Sequence, residues 1–173
     1  VDTASGNIFL VYAADHNDAV ADHDIRTAIY DGSGWTNTTS VFTNSPNRGV
    51  HQVGIGFDQN TGDVYVSYSA ETSLGTANSS NVYWVQSSDA MTTWGTEQGP
   101  LNTDPDTFYS PQMSLNSFER MYVTWWDDSD NEIVGDTITN IGPDTLLATI
   151  GTVKSEVRSP SANFNVGAAF VIS

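Results

Sequence analysis

Short apolar stretches alternate with polar turns along the whole chain, and this pattern predicts β-strands. A first strand is predicted three times, at Ile8 to Ala13, Val64 to Ala70 and Met121 to Trp126. A polar loop and then a second strand follow each one, at Ile25 to Tyr30, Val82 to Gln86 and Ile133 to Ile138. Further strands are predicted at Gln52 to Phe57 and Gln112 to Leu115, with weaker ones at Thr38 to Phe42 and Leu146 to Val153. No stretch has a convincing helical period, so the pattern predicts an all-β protein.

The strands belong to a repeated unit. Residues 2–12 return as residues 58–68, and a looser third copy covers residues 119–125. A period of about 56 residues, with four strands in each unit, is typical of the blades of a β-propeller. The repeats run approximately over 1–49, 50–109 and 110–158, with the start of a further unit at 159–173, in what we treat as a single propeller-type domain or fragment.

About three four-stranded antiparallel blades fit in this chain, whereas a closed propeller needs at least ~4 blades. We therefore expect an incomplete ring, whose open blade edges pair with further protein from the same or other chains. The repeat also predicts that Tyr12, Tyr68 and Trp125 occupy equivalent buried positions.

The charge of the chain limits its partners. It has 21 acidic residues against 5 basic ones and a formal net charge of −16. Such a surface repels nucleic acid phosphates and anionic lipid head groups, and it favours cations or basic partners. No stretch has the ~18 consecutive apolar residues of a membrane helix, so we expect no membrane insertion. The absence of cysteine excludes disulfides and thiol chemistry.

The turn after one second strand carries a recognisable motif. Ser87-Ser88-Asp89-Ala90-Met91-Thr92-Thr93-Trp94 resembles the Asp box, Ser-x-Asp-x-Gly-x-Thr-Trp, of sialidase-like propellers, with Met91 at the glycine position. Residues 31–35 look like a degenerate copy, and the third unit has lost the motif. The resemblance implies the sialidase-like propeller fold, and it implies a structural role for the Asp-box residues Ser87, Asp89, Thr93 and Trp94.

The resemblance carries no catalytic residue over to this chain. Sialidases use three arginines that clamp the substrate carboxylate, a tyrosine paired with a glutamate as the nucleophile, and an aspartate as the acid. The arginines of this chain are Arg26, Arg48, Arg120 and Arg158, and none lies in the Arg-Ile-Pro context of the first clamp residue. We therefore expect a non-catalytic binding or structural module, extracellular, on a cell or virion surface. The alternative is a fragment of a glycan-acting hydrolase whose catalytic residues lie in blades outside this chain.

Each unit has an acidic residue three positions after its aligned aromatic, at Asp15, Glu71 and Asp128. Equivalent loops of a propeller lie on one face, so these carboxylates are candidates for an arc that binds a cation or a basic partner, or else they are solvated loop residues. Asp128, Asp130 and Glu132 alternate in the way that suits calcium, although the glycine and distal glutamate of an EF-hand loop are missing. No other cofactor is expected.

Two further features concern glycans. Trp125 shares the register of the core tyrosines, so its neighbour Trp126 is the candidate for stacking on a glycan ligand, because successive strand residues point to opposite faces. Asn37 and Asn78 each begin a glycosylation acceptor triplet, a short pattern that also arises by chance in a chain this rich in Thr and Ser.

Overall fold

The computed structural model describes residues 1–15, 23–41, 49–71, 80–101, 108–115, 121–127 and 132–137. All the regular structure in these ranges is β, which confirms the predicted fold class. The strands are β1 (Ile8–Asp15), β2 (His23–Tyr30), β3 (Trp35–Asn37), β4 (Val50–Phe57), β5 (Val64–Glu71), β6 (Ser80–Ser87), β7 (Phe108–Leu115), β8 (Met121–Asp127) and β9 (Glu132–Thr137). Within the described ranges, no helix is long and apolar enough to cross a membrane.

The strands form three antiparallel sheets, β1-β2-β3, β4-β5-β6 and β7-β8-β9. Each sheet has three regular strands, whereas the repeat predicted four per unit. In the second sheet the fourth position is filled by residues 95–101, where Gln98 exchanges two backbone hydrogen bonds with Trp84 at 3.1 and 2.9 Å. The strand predicted at Thr38 to Phe42 was misplaced, because the third strand of the first sheet is Trp35–Asn37 and residues 38–41 are not strand. The weak strand predicted at Leu146 to Val153 lies outside the described residues.

The repeated phrase forms the same turn twice. The Asp58 N–H donates to the Asp63 carbonyl and the Gly62 N–H donates to the Asp58 carbonyl, at 2.9 and 2.8 Å. Asp2 makes the same two bonds with Asn7 and Gly6. Gly6 and Gly62 have φ angles of 79° and 80°, which side-chain-bearing residues rarely adopt. The Asp2 and Asp58 carboxylates also accept from the backbone N–H two residues further on, at 2.9 and 2.8 Å. The turn therefore uses both the Asp and the Gly that the repeat retains.

The three sheets pack face to face, with the second sheet in the middle. Val66 and Tyr68 of β5 are 0% and 1% exposed, and they pack with Ile25 of the first sheet. The Tyr68 ring also stacks on Tyr83 at a centroid distance of 5.8 Å. On the opposite face, a second cluster joins the second sheet to the third, and its buried members are Val82, Val123 and Trp125. The core of the described structure therefore lies between sheets.

One of the three predicted core aromatics is exposed. Tyr68 and Trp125 are buried, at 1% and 5% exposure, as the repeat predicted. Tyr12 is 39% exposed, so the prediction for this residue was wrong. Tyr12 lies on the face of the first sheet that points away from the second sheet. The repeat assigned the correct register, but burial at this position depends on a neighbouring sheet.

The second and third sheets approach each other closely at Gly54 on β4. A Cβ atom at this position would lie 2.4 Å from the carbonyl oxygen of Pro111 and 3.0 Å from the Ser67 hydroxyl. The first of these distances is impossible without movement of the backbone. Glycine is therefore required here for space, because β4 and β7 lie against each other.

Gly54→Ala should lower the free energy of unfolding by about 1–3 kcal/mol, because the added methyl group overpacks the contact with Pro111. Gly34→Ala is the matched control, since a Cβ at Gly34 meets no atom within 4 Å. Urea unfolding of both variants measures the difference. If Gly54→Ala unfolds like Gly34→Ala, the second and third sheets do not pack as described.

Candidate binding site at one end of the sheets

The Asp2 and Asp58 turns lie side by side. Gln59 accepts from the Thr3 N–H at 3.0 Å and donates to the Val1 carbonyl at 2.6 Å. β1 and β5 start from these adjacent turns, so their far ends also share one end of the stack. By strand order and register, β8 ends in the equivalent place. We call the end where β1, β5 and β8 finish, at Asp15, Glu71 and Asp127, the acidic end.

Glu71 is the residue of the acidic end whose side chain is described. It is only 4% exposed, so it lies inside the structure and is not presented to solvent as a surface ligand would be. Its N–H donates to the Gly49 carbonyl at 2.9 Å. A Cβ on Gly49 would lie 3.0 Å from the Glu71 carboxyl carbon, so the carboxyl group rests directly on this glycine.

Three buried hydroxyls share the Glu71 face of the second sheet. Ser67, Ser69 and Ser80 are 0%, 0% and 1% exposed, and their Oγ atoms have no hydrogen-bond partner among the described residues. Ser80 pairs with Glu71 in the register of β5 and β6. Buried polar atoms are normally satisfied by protein or ordered water. This face therefore combines a buried carboxyl group with hydroxyls that can bind water or another polar molecule.

The other predicted site residues are only partly described. Asp15 ends β1, Glu132 begins β9, and Trp126 lies in β8 opposite Tyr109 and Ile133. Asp128, Asp130 and Asn78 lie outside the described residues. In the described ranges, no group of three or more His, Cys, Asp or Glu residues could hold a metal ion. Asn37 ends β3 with an exposed side chain.

The 87–94 turn lies at the opposite end of the second sheet and is organised by Asp89. The Asp89 carboxylate accepts from the Thr93 N–H at 2.8 Å, from the Thr93 hydroxyl at 2.7 Å and from the Ser87 hydroxyl at 2.8 Å. These hydrogen bonds, the Thr93 hydroxyl first, lower the pKa of Asp89 to about 2. In the first sheet, hydrogen bonds from Ser33 and Gly34 lower the pKa of Asp31 to about 2 in the same way.

Met91 explains how this turn tolerates a residue other than glycine. Its φ angle is 65°, in the left-handed region that costs a residue with a side chain about 1 kcal/mol or more. The Met91 side chain is 0% exposed, and burying a Met contributes roughly 1.5–3 kcal/mol. The Met91 N–H also donates to the Ser87 hydroxyl at 2.9 Å. Burial therefore offsets the backbone strain.

The sequence did not predict two contacts, and both involve the outer segment of a sheet. The Trp94 indole N–H donates to the Thr39 carbonyl at 2.9 Å, which links the second sheet to the first. The Tyr68 hydroxyl donates to the Glu97 carboxylate at 2.5 Å. Residues 95–101 carry no strand pattern, so nothing in the sequence indicated that Glu97 lies above a core tyrosine.

Comparison with known proteins identifies the fold alone. No protein-family model matches the chain, and no curated protein matches it either. A Dyadobacter fermentans protein of unknown function has a similar structure, with a TM-score of 0.65 and 14% identity over 86% of this chain and 40% of its own. A Hadza microbial sialidase has a TM-score of 0.53 and 14% identity, over 82% of this chain and 34% of its own. A xylan β-1,4-xylosidase from Bacillus halodurans has a TM-score of 0.50 and 12% identity, over 83% of this chain and 30% of its own. The chain thus spans less than half of each.

The low pKa of Asp89 predicts a pH-dependent contribution to stability. A carboxyl group whose pKa is lowered from 3.8 to about 2 on folding stabilises the protein above its unfolded pKa. That contribution is lost as the pH falls through the folded value. The stability gap between the parent chain and Asp89→Asn should therefore be larger at about pH 6 than at about pH 2.5, in thermal melts. Ser88→Ala, in the same turn but without a titratable group, should show a gap independent of pH. A pH-independent gap for Asp89→Asn would contradict the role assigned to the carboxylate.

Proposed function

We propose that this chain is a non-catalytic binding or structural module of an extracellular surface, cellular or viral, and that it binds a glycan at the acidic end. The observation that carries the proposal is that β1, β5 and β8 each end in an acidic residue at one end of the stack, at Asp15, Glu71 and Asp127. Glu71 is buried there, so Asp15 and Asp127 are the carboxylates that we propose for contact with the glycan. Carboxylates accept hydrogen bonds from sugar hydroxyls, and such charge-assisted bonds are stronger than neutral ones. Trp126, in the strand that Asp127 ends, would supply an aromatic face.

The fold neighbours support the glycan part of the proposal only coarsely. Two of them are named as a sialidase and a xylosidase, which act on glycans. Their identity to this chain is 14% and 12%, which carries no residue of their sites over to this one. The expected ligand class is therefore a neutral or basic glycan, because the net charge of −16 repels an acidic one.

A glycan-acting hydrolase fragment is the second candidate. It is favoured by one observation, that this chain spans 34% of the sialidase and 30% of the xylosidase, which leaves room for catalytic groups elsewhere. Because this candidate places the catalytic residues outside the 173 residues, assays with fluorogenic sialosides and xylosides must use the longer polypeptide that it requires. Turnover by that polypeptide, reproduced in independent preparations, would replace the binding proposal with the hydrolase.

A glycan array, followed by calorimetry on any hit, tests the binding proposal. Asp15→Asn should weaken the affinity roughly tenfold or more, because losing a charge-assisted hydrogen bond costs about 1.5–3 kcal/mol. Asp31→Asn is the charge-matched control at the opposite end and should leave the affinity unchanged. An array without a hit would refute the glycan ligand. An equal loss in both variants would refute its location at the acidic end.

A further inference from the structure

One apolar face of the described structure is left open. On the face of the first sheet that points away from the second sheet, four large side chains remain exposed. Ile8, Leu10 and Tyr12 of β1 are 39%, 40% and 39% exposed, and Trp35 of β3 is 54% exposed. Tyr30 shares this face and contacts the Trp35 ring at a centroid distance of 5.4 Å. We call the surface formed by Ile8, Leu10, Tyr12 and Trp35 the open face.

The repeat gives each β1 residue of the open face a counterpart in the second sheet. Val64, Val66 and Tyr68 follow the same turn and occupy the same register positions on β5. They are 0%, 0% and 1% exposed, and Val66 and Tyr68 are covered by residues of the first sheet. The surface that covers them presents Val11, Ala13 and Ile25. The same kind of side chain at the same position is therefore covered in one sheet and uncovered in the other.

Trp35 has a counterpart as well. Trp94 follows the equivalent turn of the second sheet and packs partly buried against the same cluster. Its indole N–H donates to the carbonyl of Thr39, on the outer segment of the preceding sheet. Trp35 follows the 31–34 turn, and its ring lies on the open face. A sheet packed on this face, as the first sheet packs on the second, would place a carbonyl where the Trp35 indole could donate to it. Trp35 is one of several large apolar side chains on this face, and contiguous exposed apolar patches mark interaction sites.

We propose that the open face receives a further blade of the same repeat type, belonging to the same polypeptide. The face of that blade in contact with Leu10 and Tyr12 would be equivalent to the face of the first sheet that contacts Val66 and Tyr68. Its outer segment would accept the hydrogen bond of the Trp35 indole. The net charge of −16 opposes a second copy as the occupant, since like charges repel, whereas a covalent link supplies a high effective concentration. The proposal does not depend on the ligand of the acidic end.

Single thiols test the proposal, because the parent chain has no cysteine. Leu10→Cys reports the open face, Val66→Cys reports its covered counterpart, and Ser88→Cys is an exposed reference in the 87–94 turn. In the 173-residue chain, Leu10→Cys should react with Ellman's reagent about as fast as Ser88→Cys. Val66→Cys should react at least about tenfold more slowly, since it needs local opening. Circular dichroism and thermal melts establish that each variant is folded, and Ala70→Cys, at 2% exposure, replaces Val66→Cys if that variant unfolds.

The decisive measurement adds one repeat. Residues 1–57 are fused ahead of Asp2, so that an added β4 leads into the Asp2 turn as the original β4 leads into the Asp58 turn. In this extended chain the Leu10→Cys thiol of the second copy should become at least about tenfold less reactive, approaching Val66→Cys. An unchanged rate would overturn the proposal. Protection already present in the monomeric 173-residue chain would assign the face to residues of that chain. Protection that appears only with a doubled mass in light scattering would assign it to a second copy.

Discussion

The described structure depends on the burial of the second sheet on both of its faces. β5 lies in the middle of that sheet, and its side chains are nearly all buried, on one face against the first sheet and on the other facing the third. A single β-sheet cannot exclude water from both of its faces, so no unit of this repeat can complete its core alone. Stability must therefore reside between units, as in other repeat architectures.

The two faces of β5 meet this constraint in different ways. The face towards the first sheet is apolar, with Val64, Val66 and Tyr68. The face towards the third sheet carries Ser67 and Ser69, whose small side chains, with Gly54 on β4, allow close approach. Close approach leaves buried hydroxyls, and it places Glu71 inside the structure at the acidic end. The polar character of the candidate site thus follows from how closely the sheets pack.

Much of the fold could be predicted from the sequence, because strand alternation and the repeat are local properties. The strands around Tyr12, Tyr68 and Trp125 lie where the pattern predicted them, within two residues. The exposure of Tyr12 could not be predicted, since it depends on which sheet packs there. The segment at 95–101, the Glu97 contact and the burial of Glu71 are set by tertiary packing and leave no periodic signal. The ligand residues at the acidic end therefore remain predictions.

Hydrogen exchange at β1 and β5 tests most directly whether packing between sheets, and not the repeated sequence, sets local stability. The two strands share one sequence phrase, but β1 is an edge strand with an open face, while β5 is central and covered. Amides of Val66 and Tyr68 should exchange at least about a hundredfold more slowly than those of Leu10 and Tyr12, since exchange there requires larger opening. Equal protection in β1 and β5 would contradict the account, because it would mean that each unit is stabilised on its own.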